Sequence, residues 1–287
     1  MTRQELRETF FTRQGVGAIA VAALAAFGLV SAAFQVALAL WPRLIRHDWL
    51  VLSSLAACCI FVGTVHAWPR LRYSRTYNHP NFVIQVKCGD LLEEEGNIVV
   101  GFTDTFDTDM TDGIVIDHRS VQGQFQSKYY NNIAQLDAEI DDYLRDRPAA
   151  AMESLASKPK GKLKRHEIGT VVVLRRGNSK YFASAYGYMR NDLRVTCSVD
   201  ALWKTLTAIW EAVRTHGSLD PVAIPVIGSD LARVGTLDRN SIIKMIALSF
   251  IASTRQEIVS RQLTIVIHPK DRQAVNLIDI YQFLRAL

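Results

Sequence analysis

The hydrophobic positions along this chain follow two different patterns. Residues 15–40 and 49–67 contain no charged side chain, whereas the rest of the chain mixes charged and apolar residues at short intervals. At about 1.5 Å of rise per residue, a helix over the first run exceeds a hydrocarbon core of roughly 30 Å, and a helix over the second nearly matches it. The short segment between them, residues 41–48, suits a helical hairpin. The pattern predicts two transmembrane helices.

Tryptophan and arginine flank both runs, as is typical of residues at a membrane surface. The flanking residues are Trp41, Trp49 and Trp68, with Arg3, Arg7, Arg13, Arg43, Arg46, Arg70, Arg72 and Arg75. A signal peptide is the alternative for the first run, but that run is too long and a second run follows directly. A buried core helix is the alternative for the second. The arginine distribution predicts that both termini, and the domain after the hairpin, lie on the cytoplasmic side of a bacterial inner membrane.

After residue 75 the apolar residues occur in short runs separated by turn residues. Alternating strands and helices of this kind predict an α/β layered domain with a largely parallel or mixed sheet. We therefore divide the chain into a transmembrane hairpin, residues 1–75, and a second domain, residues 76–287. The predicted strands are 82–86, 97–102, 113–117, 170–174, 181–186, 222–227 and 263–267, and the predicted helices are 121–145, 198–217, 240–254 and 274–287.

Composition excludes several classes of protein. The chain has 287 residues, of which 49% are hydrophobic, so it is neither a disulfide-stapled mini-protein nor a disordered chain. Its 33 basic and 28 acidic residues leave a net charge of +5, which does not predict nucleic-acid binding. The four cysteines, Cys58, Cys59, Cys88 and Cys197, show no zinc-ligand spacing and indicate reduced thiols in a protein that faces the cytosol.

Three glycine-containing loops follow predicted strands and are candidates for ligand binding. They are Gly89-Asp90, residues 101–109 with the sequence GFTDTFDTD, and residues 228–235 with the sequence GSDLARVG. Ligands in layered α/β folds bind beyond the carboxyl ends of strands, where the N–H groups of a following helix can bind phosphate. None of the three matches a P-loop or a dinucleotide-binding fingerprint, so each signal alone is weak.

Candidate catalytic and metal-ligating groups are few. His166-Glu167 lacks the second histidine of a zinc-protease motif, and His268 follows a strand, where we expect it to face solvent or a turn. The aspartates after the second strand favour a turn-rich acidic loop over a metal site, because the loop lacks the glycine and terminal glutamate of a calcium-binding loop. These aspartates are Asp104, Asp107, Asp109 and Asp112.

Several stretches together resemble a known family, the transmembrane–macro effectors of the type II Thoeris antiphage defence system. They occur in the expected order over roughly residues 80–285, and the preceding hairpin matches the expected anchor. The stretches are Cys88-Gly-Asp-Leu-Leu92, Ile98-Val-Val-Gly-Phe-Thr-Asp-Thr-Phe-Asp-Thr108, Ser120-Val-Gln-Gly-Gln-Phe125, Gly169-Thr-Val-Val172, Ile224-Pro-Val-Ile-Gly228 and Leu263-Thr-Ile-Val-Ile267.

The resemblance implies a macro domain, an α/β/α fold with a mixed sheet that binds ADP-ribose-like nucleotides. In this family the ligand is a signal that a partner TIR-domain enzyme makes from NAD, a histidine conjugate of ADP-ribose. The resemblance also implies that binding of this ligand leads to homo-oligomerisation, contact with membrane lipid, membrane disruption and abortive infection. The resemblance implies no cofactor and no nucleic-acid partner.

The resemblance also implies site residues. Asp90, with its neighbour Leu91, matches the position that accepts a hydrogen bond from the adenine amino group. The diphosphate loop matches Gly228, Ser229, Asp230, Leu231 and Gly235, and the loop near the distal ribose matches Gly101, Phe102, Thr103 and Phe106.

One departure bears on catalysis. Macro domains that hydrolyse ADP-ribosyl bonds carry an asparagine-rich motif and a glycine run where this chain has GFTDTFDTD. We therefore expect a binding protein and not an enzyme. The alternatives are a membrane-tethered ADP-ribosyl hydrolase and an ADP-ribose-binding module that forms no pore.

Overall fold

The computed structural model divides the chain into two compact units, Met1–Leu71 and Arg72–Leu287. It describes residues 20–21, 23–28, 30–32, 35, 53, 56–62, 72–227 and 237–287. In the first unit every described residue is helical. Within the described ranges, no helix has both the length and the apolar character needed to cross a membrane. Much of the two predicted spans lies outside these ranges, so the transmembrane hairpin stays a prediction.

The second unit is built on a mixed sheet. Its strands are β1 (Arg72–Asn78), β2 (Asn81–Cys88), β3 (Asn97–Thr103), β4 (Ala151–Met152), β5 (Lys164–Arg165), β6 (Val171–Arg176), β7 (Ser179–Met189), β8 (Val195–Thr196), β9 (Val222–Pro225) and β10 (Gln262–Ile267). The main sheet has the order β1-β2-β10-β9-β3-β7-β6, with β8 paired to β7. The pair β4 and β5 forms a separate two-stranded sheet.

The centre of the main sheet is parallel and its edges are antiparallel. β2, β10, β9, β3 and β7 pair in parallel, whereas β1 pairs antiparallel with β2, and β6 and β8 pair antiparallel with β7. Five neighbouring strands therefore end at the same edge of the sheet.

Helices cover both faces of this sheet. They are α1 (Val121–Tyr129), α2 (Ile133–Tyr143), α3 (Val199–His216), α4 (Arg239–Gln256) and α5 (Leu277–Ala286). One buried cluster joins α3, α4 and α5 to the sheet, and the other joins α1 and α2 to the opposite face. The fold is thus an α/β/α sandwich, which confirms the predicted macro-type mixed sheet.

Most predicted elements are confirmed, and their ends follow local chemistry. The Ser198 side chain accepts a hydrogen bond from the Ala201 N–H at 3.1 Å, which begins α3, and Gly217 ends it. β6 and β7 form the predicted hairpin around Gly177, which adopts a φ of 56° that favours glycine.

Two predicted elements differ in the structure. The predicted strand 113–117 is wrong: this segment forms turns, because the Asp112 carboxylate accepts the Ile114 N–H at 3.0 Å and Gly113 has a φ of 68°. The predicted helix 121–145 is two helices, α1 and α2. The break comes at Asn132, whose side chain accepts the Ala134 N–H at 3.0 Å and so caps the second helix.

Two further differences concern basic residues. Arg72 and Arg75, predicted to flank a membrane helix, lie in the edge strand β1, so the predicted domain boundary at residues 75/76 falls inside a strand. The lysine-rich segment 148–165, predicted to be a solvated loop, contains β4 and β5. It also places Lys158 in the interior, with an exposed fraction of 0%. The solvated-loop prediction was wrong for Lys158.

We expect Phe250→Ala to destabilise the second unit by about 3–5 kcal/mol, because it removes a fully buried ring. The Phe250 ring packs edge-on against Trp210 at a centroid distance of 5.2 Å and against Phe82 at 5.7 Å. Leu248→Ala, at a half-exposed position of the same helix, is the control and should cost less than about 1 kcal/mol. Urea unfolding followed by tryptophan fluorescence measures both, and equal losses would contradict this account of the core.

Candidate ligand-binding site

A cavity of about 470 Å³ lies across the carboxyl ends of the five parallel strands. Each strand contributes to its wall. The lining residues at the strand ends are Gly89 and Asp90 after β2, Val266 and His268 at β10, Pro225, Val226 and Ile227 at β9, Gly101, Phe102 and Thr103 in β3, and Tyr186 and Met189 in β7. This is the edge at which ligands bind in layered α/β folds. The cavity is of the size that holds small organic ligands.

Asp90 stands at the β2 end of this cavity. Its carboxylate accepts the Leu92 N–H at 2.9 Å and so begins a short 3-10 turn, Leu91–Glu93. This bond fixes the direction of the side chain, which is otherwise exposed. A carboxylate accepts up to four hydrogen bonds, so the cap leaves acceptor capacity for a ligand. Leu91, predicted as its neighbour in the site, also lines the cavity.

Gly101 brings a tyrosine over the end of β3. A Cβ atom added at Gly101 would lie 2.8 Å from a ring carbon of Tyr186, closer than real Cβ contacts allow. The absence of a side chain at position 101 therefore lets the Tyr186 ring approach β3 and form part of the wall. Phe102 and Thr103, the next two predicted residues, also line the cavity.

Phe106 is placed differently from the other predicted residues of its loop. Its side chain is 1% exposed, and its ring lies 5.8 Å from the Phe102 ring and 5.7 Å from the His166 ring. It is not among the residues that line the cavity. Phe106 thus supports the loop from the interior. Burial lowers the pKa of the neighbouring His166 imidazole, and the charges of Lys164 and Lys162 lower it further.

The aspartates of this loop are divided between interior and surface. Asp104 and Asp107 are each 1% exposed and form ion pairs with Arg165, at 2.6 Å, and with Lys158, at 3.1 Å. Asp109 and Asp112 are exposed and accept backbone N–H groups two residues on. Within the described part of the chain, no group of three or more His, Cys, Asp or Glu side chains is arranged to hold a metal ion.

The third predicted loop lies outside the described residues. It comprises Gly228, Ser229, Asp230, Leu231 and Gly235. The residue before it, Ile227, lines the cavity. The role of this loop in binding phosphate stays a prediction.

The start of α1 forms a wall that the sequence did not predict as part of the site. Ser120 caps the helix by accepting the Gly123 N–H at 3.0 Å, and Val121 and Gln122 line the cavity. Beside them, hydrogen bonds from the Arg119 side chain and backbone lower the pKa of the Asp117 carboxyl to about 2. The Asp117–Arg119 pair therefore stays charged at the cavity rim near neutral pH.

Two more segments complete the cavity. Met189 packs with Val115 and Ile116 in a small apolar cluster that forms one end. After β10, the exposed His268 accepts the Lys270 N–H at 3.2 Å, as expected for a histidine in a turn. Asp271, also in the lining, pairs with Arg239 at 2.8 Å.

These segments were missed because sequence order does not give strand order. Tyr186 and Met189 reach the site only because β7 pairs with β3, and this pairing leaves no local pattern in the sequence. Ser120 was a detectable signal, since a serine before a helical run is a common helix cap. The assembled cavity has apolar walls, charged groups at its rim and the N-terminus of α1, and it suits an elongated ligand with rings and an anionic part.

Comparison with known proteins identifies relatives of this chain. Residues 84–268 match the family described as Thoeris protein ThsA, Macro domain. A curated relative, the Thoeris protein ThsA of Bacillus amyloliquefaciens (strain Y2), is 24% identical over 215 residues, which cover 72% of this chain and 70% of the relative.

Solved structures similar to this chain include two of a macrodomain from Oceanobacillus iheyensis. One is a mutant, with 14% identity and a TM-score of 0.49, which covers 75% of this chain and 96% of the other. The second holds ADP, with 13% identity, a TM-score of 0.48 and the same coverage.

We expect Gly123→Ala to destabilise the protein, although alanine normally favours a helix over glycine by about 1 kcal/mol. A Cβ atom at this position would lie 2.3 Å from the Asp117 carbonyl oxygen and 2.9 Å from the His118 Cα, and both are backbone atoms that cannot move aside independently. Overpacking of this kind costs about 1–3 kcal/mol.

Urea unfolding measures the change, with Ser127→Ala as the control at an exposed position of the same helix. An unchanged or increased stability of Gly123→Ala would show that the wall formed by residues 117–123 is not packed as described.

Proposed function

Since this chain belongs to the macro-domain family of the Thoeris protein ThsA, we propose that its cavity binds an ADP-ribose-type nucleotide as the signal of an antiphage defence response. The observation that carries the proposal is the continuous cavity from Asp90 to Met189 across five strand ends. The ligand we infer is the histidine conjugate of ADP-ribose that a TIR-domain enzyme makes from NAD.

The length of the cavity supports this ligand class. Four strand spacings of about 4.8 Å separate the ends of β2 and β7, roughly 19 Å in all. An extended ADP-ribose has a comparable length. With the adenine amino group donating to Asp90, the diphosphate crosses the ends of β10 and β9, next to the start of α1. The distal ribose then lies near Thr103 and Met189.

The start of α1 supports the position of the diphosphate. A helix N-terminus presents N–H groups without intrahelical partners and carries partial positive charge, and both features favour an anion. Val121 and Gln122 line the cavity at this terminus, whereas the Gly123 N–H is already bound by Ser120. Lys270 adds positive charge to the rim, whereas the charge of Arg119 is offset by its partner Asp117.

We propose binding without turnover. The two aspartates closest to the end of β3, Asp104 and Asp107, are buried and paired with Arg165 and Lys158, and neither lines the cavity. A carboxylate held in a buried ion pair is a poor general base, because it gives up that pair when it takes a proton. This arrangement favours a receptor over the hydrolase alternative.

The response we propose is assembly at a membrane. A ligand that binds an assembled state more tightly shifts the population towards that state, and a shift from 1:99 to 99:1 needs about 5.5 kcal/mol of differential binding. Charge-free residues 15–40 and 49–67 would then associate in the bacterial inner membrane. The glycine and alanine content of the first run favours close helix contacts. Membrane disruption and abortive infection follow in this proposal.

We expect ADP-ribose to raise the unfolding temperature of the purified full-length protein, because a ligand that binds only the native state stabilises it. Asp90→Ala should weaken ADP-ribose binding by about 1–3 kcal/mol, the cost of leaving the adenine donor unpaired. Calorimetry measures the dissociation constants.

Asn132→Ala is the matched control for Asp90→Ala. It removes the same kind of side-chain cap, to a backbone N–H two residues on, from a helix that does not line the cavity. Equal affinities of the wild type and Asp90→Ala would overturn the adenine assignment. Release of ADP-ribose from a modified protein substrate would favour the hydrolase alternative.

In dye-loaded vesicles of bacterial lipid, we expect the full-length protein to cause leakage after the histidine conjugate of ADP-ribose is added and not after adenosine is added. Asp90→Ala should need a higher concentration of the conjugate. Chemical crosslinking under the same conditions should give larger oligomers. Leakage that does not depend on the conjugate would contradict assembly triggered by the ligand. Binding without leakage would leave only the tethered binding module.

A further inference from the structure

Two buried ion pairs connect one segment of the chain to the wall of the cavity. The segment is the β4–β5 hairpin, residues 151–165, which does not itself line the cavity. It supplies Lys158 to Asp107 and Arg165 to Asp104. Both aspartates belong to the loop that follows β3, so a single hairpin holds this loop at two points.

The Arg165–Asp104 pair leads directly to Met189. The Asp104 carboxylate accepts the Met189 N–H at 2.7 Å and an Arg165 N–H at 2.6 Å. Arg165 also donates to Glu153 at 2.7 Å and to Asn191 at 2.9 Å. Because Met189 lines the cavity, Asp104 joins the hairpin to the β7 end of the wall by one hydrogen bond.

The Lys158–Asp107 pair leads to Gln122 in the same way. Lys158 donates to the Asp107 carboxylate at 3.1 Å and to the Lys162 carbonyl at 2.7 Å. The same carboxylate accepts the Thr105 hydroxyl at 2.5 Å and the Lys162 N–H. The backbone carbonyl of Asp107 accepts a hydrogen bond from the side-chain amide of Gln122 at 2.7 Å, and Gln122 lines the cavity.

The two connections reach the part of the cavity away from Asp90: Asp104 reaches Met189 at the β7 end, and Asp107 reaches Gln122 at the start of α1. Asp90 follows β2, whereas Asp104 and Asp107 follow β3, three strands away in the sheet, and Met189 ends β7, four strands away. The adenine end, at Asp90, has no contact with the hairpin in the hydrogen bonds and ion pairs of the described residues. Through Met189 the hairpin therefore bears on the end of the cavity where the ligand part beyond the diphosphate would lie, and through Gln122 it bears on the site proposed for the diphosphate.

We propose that the Arg165–Asp104 pair positions the distal end of the cavity, so that the β4–β5 hairpin determines affinity for the ribose beyond the diphosphate, while the Lys158–Asp107 pair holds the start of α1 beside the diphosphate. This inference rests on the proposed function and assigns Lys158, Arg165, Asp104 and Asp107 as positioning residues. The side chains of both aspartates are 1% exposed, that of Lys158 is 0% exposed and that of Arg165 is 13% exposed. Each pair is therefore sensitive to loss of its basic partner, because an unpaired charge in the interior is strongly disfavoured. A displaced pair would move Met189 or Gln122 and leave Asp90 in place.

The test compares two ligands that differ only at the distal end, ADP-ribose and ADP. Dissociation constants are measured for the full-length wild type, for Arg165→Gln and for the double variant Asp107→Asn with Lys158→Met, which removes both charges of that pair. Arg145→Gln, which removes an exposed pair with Asp142 on α2, is the control. We expect Arg165→Gln to bind ADP-ribose about tenfold more weakly and ADP within about twofold of the wild type. The double variant should bind both ligands more weakly by a similar factor, because Gln122 lies beside the diphosphate, and the control should change neither affinity.

The ratio of the two dissociation constants separates positioning from a general loss of structure. A variant that is partly unfolded binds both ligands more weakly by the same factor, so the ratio does not change. A ratio equal to that of the wild type in Arg165→Gln would overturn the proposal. If the wild type bound neither ADP nor ADP-ribose measurably, the result would contradict the proposed function, and this inference would fail with it.

Discussion

The parallel alignment of five neighbouring strands is the constraint on which the site depends. When β2, β10, β9, β3 and β7 run in the same direction, all five end at one edge, and the chain must leave the sheet there. Backbone groups beyond the last paired residues have no ladder partner, and helices such as α1 begin at this edge with N–H groups that point outward. A long cavity across the strand ends follows from this topology. Of the antiparallel strands, β1 and β6 only extend the sheet, whereas β8 contributes Val195 to the cavity lining.

The loop after β3 turns this edge into a defined wall. Its aspartates could have been solvated, but Asp104 and Asp107 are in the interior, where a charge is tolerated only with a partner and further hydrogen bonds. The partners come from the β4–β5 hairpin, about 50 to 60 residues later in the chain. Such an arrangement adds little stability compared with apolar packing. It restricts the loop to the one position in which both carboxylates are satisfied.

The sequence predicted the local elements well and their assembly less well. Helix α3 could be predicted because its serine cap, its regular apolar spacing and its terminal glycine all lie within or next to the segment itself. Asp90 and residues 101–103 were found because glycine and aspartate after a strand indicate a turn at the carboxyl edge. The segment 113–117 was misread as a strand because its apolar residues pack in a small cluster with Met189 instead of pairing in the sheet. Strand β1 was missed because Arg72 and Arg75 were interpreted as basic residues that flank a membrane helix.

By itself the sequence determined the alternation of strands and helices, the family resemblance and the loops that could touch a ligand, because each depends on residues close together in the chain. Tertiary structure alone decided that Tyr186 and Met189 face the same cavity as Asp90. It also decided that Lys158 is buried beside Asp107. These contacts depend on which strands become neighbours, and strand order results from packing both apolar faces of the sheet at once. No local pattern encodes that choice.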